Sequence, residues 1–169
     1  MDDRKQGLPP VAAADTRLLI LGSLPGDRSL AASQYYAHPR NQFWDLVGEI
    51  IAVPLRPLPY AAKLDVLAQH RIGLWDVIAK GERRGSLDSA MRNVAANPLA
   101  TFVQSLPALR AVAFNGRLAY STGAAALAAL QEVVLIPLPS SSPAHAVGIG
   151  SKRESWMALR PFLHDDIDR

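Results

Sequence analysis

Apolar positions along this chain fall into two patterns. Short, nearly unbroken runs occur at Arg17-Leu18-Leu19-Ile20-Leu21-Gly22, at Ile72-Gly73-Leu74-Trp75-Asp76-Val77-Ile78 with one acid inside it, at Ala111-Val112-Ala113-Phe114 and at Val133-Val134-Leu135-Ile136. Their length and continuity are those of strands buried on both faces. Between them, residues 42–52 place Phe43, Leu46, Val47, Ile50 and Ile51 at helical spacing, and residues 61–69 repeat the pattern with Leu64, Val66 and Leu67. Further helical stretches are expected near 98–106 and 117–130. Strands alternating with helices predict an α/β fold, a three-layer α/β/α sandwich around a central, mostly parallel four-stranded sheet. Sites in such sheets form at the carboxyl ends of the strands, which directs attention to the residues just after Leu21, Ile78, Phe114 and Leu138.

Residues 1–16 carry Gly7-Leu8-Pro9-Pro10 and no periodicity, so they read as an arm laid over a single domain of residues 17–169. The last helix is expected to begin near Ser151, where Ser151-Lys152-Arg153-Glu154 has the form of a capping box ahead of Trp156, Leu159 and Phe162. With 169 residues, 49% of them hydrophobic, there is enough apolar surface for one core.

Composition narrows the chemistry. No apolar run approaches the roughly 20 residues that span a bilayer, and Met1-Asp2-Asp3-Arg4 lacks a secretory pattern, so a soluble, cytoplasmic protein without membrane contact is expected. The absence of cysteine excludes disulfides, thiolate zinc sites and cysteine-ligated clusters. His38, His70, His145 and His164 have no metal-ligand spacing, and neither metal nor cofactor is expected. The formal charge of +3 decides nothing by itself. Lys80, Arg83, Arg84, Arg92, Lys152 and Arg153 lie in polar connecting stretches, where they read as solvated surface or as phosphate contacts.

Three stretches carry functional signal. Gly22-Ser23-Leu24-Pro25-Gly26 follows the first strand and lets the backbone turn sharply. Tyr35-Tyr36-Ala37-His38-Pro39-Arg40-Asn41-Gln42-Phe43-Trp44 closes a long loop, and Leu138-Pro139-Ser140-Ser141-Ser142-Pro143-Ala144-His145-Ala146 follows the fourth strand. The second stretch resembles the A-H-P-x-N-x-F-W segment of bacterial mismatch-specific uracil-DNA glycosylases. The longer string of G-S-L-P-G, S-L, Q-Y-Y and P-R-N-Q-F-W resembles the hypoxanthine (deoxyinosine) DNA glycosylases of the same uracil-DNA glycosylase superfamily more closely still. The resemblance spans roughly residues 17–160.

That resemblance implies a monofunctional DNA glycosylase of base excision repair, acting on DNA that contains a damaged or mismatched base and expected to be a monomer of the bacterial nucleoid. It implies that Tyr36 stacks on the everted base, the alternative being a core tyrosine. Relatives hold the attacking water with Asp, Asn or Glu in the first motif, where this chain has Ser23 and Leu24. The catalytic residues expected here are therefore Asn41, orienting water, and Ser23. Asn41 also directly precedes a helix and suits a cap. Asp76 interrupts a buried run and reads as a base-edge contact, as an activator of water in place of the missing first-motif residue, or as the ion-pair partner of Arg83, Arg84 or Arg92. Asn115, in Phe114-Asn115-Gly116, offers an amide to a base edge or makes a turn. Ser140 stands where relatives often have the histidine that stabilises the leaving base. Ser141, Ser142, Pro143, His145, Lys152 and Arg153 are expected to contact DNA, the last two through phosphates, although many hypoxanthine-specific relatives have asparagine at the place of His145. Excision of uracil or mismatched thymine, or DNA binding without chemistry, are the alternatives; no G-x-S-x-G elbow supports a serine hydrolase.

Overall fold

A computed structural model describes residues 3–143 and 148–165. Four parallel strands, β2 (Leu18–Gly22), β3 (Ile72–Asp76), β6 (Ala111–Asn115) and β7 (Val134–Leu138), form one sheet in the order β3-β2-β6-β7. Every residue of β2, β3 and β6 is buried, as two-sided coverage requires. Side chains alternate between the faces. Leu18, Ile20, Leu74 and Ala113 meet Phe43, Leu46 and Val47 of α2 (Phe43–Ile51), Leu67 of α3 (Tyr60–Gln69) and Trp156 of α6 (Ile149–Met157). Leu19, Leu21, Trp75 and Phe114 meet Leu99 and Val103 of α4 (Leu99–Gln104) and Ala119 and Leu127 of α5 (Arg117–Leu127). The expected three-layer sandwich is thus the observed one. Pro137 is tolerated in β7 because that strand lies at the sheet edge, paired with β6 alone.

Four features depart from the sequence expectation. The run 72–78 is not one strand: after Asp76 the Val77 and Ile78 N–H groups donate to the Gly22 and Ser23 carbonyls, and the chain turns into β4 (Ile78–Glu82). β4 pairs antiparallel with β5 (Arg92–Ala96) and with β1 (Arg4–Gln6), so the N-terminal arm supplies a strand to a second, three-stranded sheet. A six-residue helix α1 (Asp27–Ala32) occupies the first long loop. α6 begins at Ile149, before Ser151, with Gly148 as its flanking residue. Ser151 therefore lies inside the first turn, where its hydroxyl donates to the Gly148 carbonyl at 2.7 Å and no capping box forms. No described helix is long and apolar enough to cross a membrane.

Candidate functional site

At the carboxyl ends of the parallel strands the loops after β2, β3, β6 and β7 surround a cavity of about 730 Å³. Ser23, Tyr36, Asn41, Asp76, Asn115, Ser140, Ser141, Ser142 and Pro143 all border it. The tyrosine-bearing loop and the triple-serine turn, 100 residues apart at Asn41 and Ser141, are joined directly by a hydrogen bond.

That junction centres on Ser141, which has no exposed surface. Its hydroxyl donates to Asn41 Oδ1 and accepts from Asn115 Nδ2, both at 2.8 Å. Its N–H donates to Asn115 Oδ1 at 2.8 Å, and its carbonyl accepts from the Gln42 N–H at 3.0 Å. A hydroxyl so engaged cannot serve phosphate, so Ser141 is a staple between loops, contrary to the expected DNA contact. The Asn115 amide likewise bonds Ser141 through both its oxygen and its nitrogen, while the residue borders the cavity. Gly116, next in the chain, has φ +102, and a Cβ there would lie 3.2 Å from Ser140 Cβ, so only glycine lets β6 enter α5 this close to the serine turn.

Asn41 serves two purposes through different atoms. Its Oδ1 accepts from the Phe43 N–H at 2.9 Å as well as from Ser141, satisfying a free donor at the start of α2 although Gln42 is the flanking residue. A backbone N–H needs an acceptor, which fixes this atom as oxygen and makes the other amide atom, Nδ2, a donor on a residue that borders the cavity. The acceptor that sequence analysis offers to water is therefore occupied. Arg56 holds the loop from outside, bonding the Pro39 and Asn41 carbonyls and the Asp45 carboxylate.

Tyr36 has a left-handed backbone, φ 55, uncommon for a residue with a side chain. The conformation is held by Trp44 Nε1, which donates to the Tyr36 carbonyl at 3.1 Å, and by Phe43, which stacks on the ring at 3.8 Å between centroids. One ring face is therefore taken by the core, and the residue is both a core tyrosine and a wall of the cavity. Tyr35 is buried, with its hydroxyl donating to the Pro9 carbonyl of the arm at 2.7 Å.

Asp76 is 3% exposed and makes no ion pair of the kind expected with Arg83, Arg84 or Arg92. Its Oδ2 and the Tyr36 hydroxyl are both buried without a hydrogen-bond partner. The other carboxyl oxygen and the Tyr36 hydroxyl approach Gly22, where a Cβ would lie 2.7 Å from Asp76 Oδ1 and 3.2 Å from the Tyr36 oxygen. Burial, reinforced by the charge of Asp88, pushes the Asp76 carboxyl up to about 8, so it is a neutral acid at pH 7. Burial, and then the neighbouring Asp76 carboxyl, raises the Tyr36 phenol.

Ser23 is buried, and its hydroxyl donates to Asp88 Oδ1 at 2.8 Å. Asp88 lies in a 3-10 turn, Asp88–Ala90, at the tip of the β4–β5 hairpin and borders the cavity. Sequence reasoning missed it; its signal is Gly85-Ser86-Leu87-Asp88-Ser89, a turn-forming stretch between two short strand segments. Arg83, read from sequence as solvated surface, a phosphate contact or a partner of Asp76, is 1% exposed. Its guanidinium donates to the Leu24, Pro25 and Gly85 carbonyls, clamping the hairpin to the first motif.

Ser140 Oγ accepts from the Ser142 N–H at 3.0 Å, and no described residue accepts its hydroxyl hydrogen. Pro143 is exposed at the cavity mouth; His145 lies outside the described residues. The expected phosphate contacts of α6 are placed differently. Lys152 is buried, and Arg153 forms a two-pronged pair with Glu49 of α2 at 2.6 and 2.9 Å. The arginines that border the cavity are instead Arg28 of α1 and Arg117 at the start of α5.

Comparison with known proteins agrees with this arrangement. The family model described as "Uracil DNA glycosylase superfamily" matches residues 9–160. A hypoxanthine DNA glycosylase of Methanosarcina barkeri is 38% identical over 155 residues, covering 90% of this chain and 96% of that protein. One of Methanosarcina acetivorans is 39% identical over 160 residues, covering 95% and 99%. A solution NMR structure of a Methanosarcina acetivorans protein described as a candidate uracil DNA glycosylase superposes with a TM-score of 0.83 at 39% identity, covering 95% of this chain and 99% of that one. These relatives are archaeal, so they give no support to the expected bacterial nucleoid. A parallel sheet whose strand ends gather both motif loops around one cavity, matched along nearly its whole length, places this chain in the uracil DNA glycosylase superfamily.

Proposed function

We propose that this protein removes hypoxanthine from deoxyinosine in DNA by hydrolysing the N-glycosidic bond, leaving an abasic site for base excision repair. The observation that carries the reading is the near-full-length similarity to two proteins named hypoxanthine DNA glycosylase. The cavity supports it: its volume of about 730 Å³ suits one nucleoside, and its walls combine an aromatic ring with donors.

A base inside duplex DNA shields its sugar carbon, so the nucleotide must leave the stack before cleavage. In this reading the everted purine lies against Tyr36, with Asp76 at the cavity floor. As a neutral acid, Asp76 offers one donor and one acceptor to the polar edge of the base. Bond cleavage develops positive charge on the sugar and negative charge on the purine, which rewards donors fixed in advance toward the base. In this reading Asn41 Nδ2 and the Ser140 hydroxyl, on residues that border the cavity and whose oxygens are held by other bonds, are such donors. In this reading Arg28 and Arg117, which border the cavity, meet phosphates, and Ser142 and Pro143 of the same lining contact the DNA.

The test is excision from a panel of duplexes carrying a single deoxyinosine, deoxyuridine, thymine mismatch or deoxyxanthosine. Preferential release of hypoxanthine with no strand cleavage beyond the abasic site is the expected result. Preferential release of uracil would instead favour the activity in the description of the solved structural relative.

A further inference from the structure

Of the carboxylates that border the cavity, Asp27, Asp76 and Asp88, one is suited to act on water. Asp76 is 3% exposed, and burial pushes its carboxyl up to about 8, so most of it already carries a proton at neutral pH. Asp27 forms an ion pair with Lys5 at 2.9 Å. Asp88 receives the Ser23 hydroxyl on Oδ1, lies 3.9 Å from the Arg83 guanidinium, and keeps 45% of its side chain exposed, so it has access both to the cavity and to solvent. Ser23 occupies the first motif, the segment expected to hold the attacking water. Here a serine at that position grips a carboxylate brought from 65 residues further along the chain.

We infer that Asp88, delivered by the β4–β5 hairpin and aimed by Ser23, is the general base that orients and deprotonates the attacking water. The inference rests on the glycosylase reading above. The water oxygen bonds to C1′ as the C1′–N9 bond breaks, with that bond's electron pair leaving on the purine. The water proton passes to Asp88 and on to solvent, and the released purine is neutralised by one proton from solvent. One water is consumed and no other reactant is needed. Desolvation by the loop it lies against raises the Asp88 carboxyl above its ordinary range, which strengthens it as a base, while the Ser23 hydrogen bond and the Arg83 charge limit that rise.

The experiment uses the full chain and a duplex with one deoxyinosine, measuring single-turnover excision alongside binding to the same duplex made uncleavable by a 2′-fluoro sugar. Asp88→Asn should slow excision by roughly a hundredfold or more with duplex affinity kept within about threefold. Asp88→Glu should retain most of the rate. Ser23→Asp in the Asp88→Asn background, which puts a carboxylate back beside the same spot, should recover at least about tenfold. The wild-type rate should fall in acid along a limb that Asp88→Asn lacks. The other charged or titratable groups that border this cavity or contact Asp88 are Asp27, Arg28, Tyr35, Tyr36, His38, Asp76, Arg83 and Arg117, none of which changes in these variants. Excision by Asp88→Asn within about threefold of wild type, or a rate loss matched by lost duplex binding, overturns the inference. Failure of the unaltered protein to release any base overturns the glycosylase reading itself.

Discussion

Ser141 Oγ stands 2.8 Å from Asn41 Oδ1 and 2.8 Å from Asn115 Nδ2, so one hydroxyl hydrogen and one lone pair tie the loop before α2 and the end of β6 to the serine turn. Replacing Ser141 with alanine removes both bonds and leaves two amides under-satisfied in a buried place. The expected loss is about 1–3 kcal/mol of stability, read from denaturant melts. Because Asn41 then loses a restraint, excision should also slow while the melt remains cooperative.

Asn41 lends itself to a comparison of two substitutions. Asn41→Asp keeps an oxygen for the Phe43 N–H and the Ser141 hydroxyl but removes the Nδ2 donor. It should fold with near wild-type stability and lose excision by on the order of a hundredfold. Asn41→Ala loses the cap as well, adding about 1 kcal/mol of destabilisation. Equal activity of Asn41→Asp and wild type, measured on deoxyinosine duplex, would confine this residue to a structural role.

Asp76 makes stability depend on pH in an unusual direction. Its folded carboxyl titrates at about 8, whereas an unfolded aspartate titrates near ~3.9. Between those values the folded chain holds a proton that the unfolded chain has released, so stability falls as pH rises through the window and levels off above it. Asp88, also raised, adds to the fall in the same direction. Asp76→Asn, which imitates the neutral acid, should flatten most of the slope, and melting temperatures collected from pH 5 to pH 9 would display it.

Gly22 is where Asp76 and Tyr36 converge. A methyl group there would meet Asp76 Oδ1 at 2.7 Å, a contact that must be relieved by moving the carboxyl out of the cavity floor. Gly22→Ala should cost about 1–3 kcal/mol and abolish measurable excision, whereas the same change at Gly150 of α6, where an added methyl meets no atom of the described residues, should leave excision unchanged without destabilising the fold.

The parallel sheet was legible because its strands are continuous apolar runs, and α2 because Phe43, Leu46, Val47, Ile50 and Ile51 keep helical spacing. The site was legible in outline because the motif residues sit at carboxyl ends of those strands. The second sheet left no comparable trace. Ile78-Ala79-Lys80-Gly81-Glu82 and Arg92-Asn93-Val94-Ala95-Ala96 mix charged and small residues, and their pairing with Arg4–Gln6 is a long-range event that no local pattern reports. Asp88 went unnoticed with the hairpin that carries it. Arg83 and Lys152 were misplaced for a related reason: a charged residue in a polar stretch reads as exposed, and only tertiary structure shows its burial. The roles of Ser141 and Asn115 depend on partners 26 and 100 residues away, which composition cannot supply.

The Arg83 clamp has a mechanical consequence. A single guanidinium bonded to carbonyls on either side of the seam makes the hairpin tip and the glycine-proline turn one solid piece. Entry of a bulky nucleotide would then displace this wall as a unit, carrying Ser23 and Asp88 together with their mutual spacing intact.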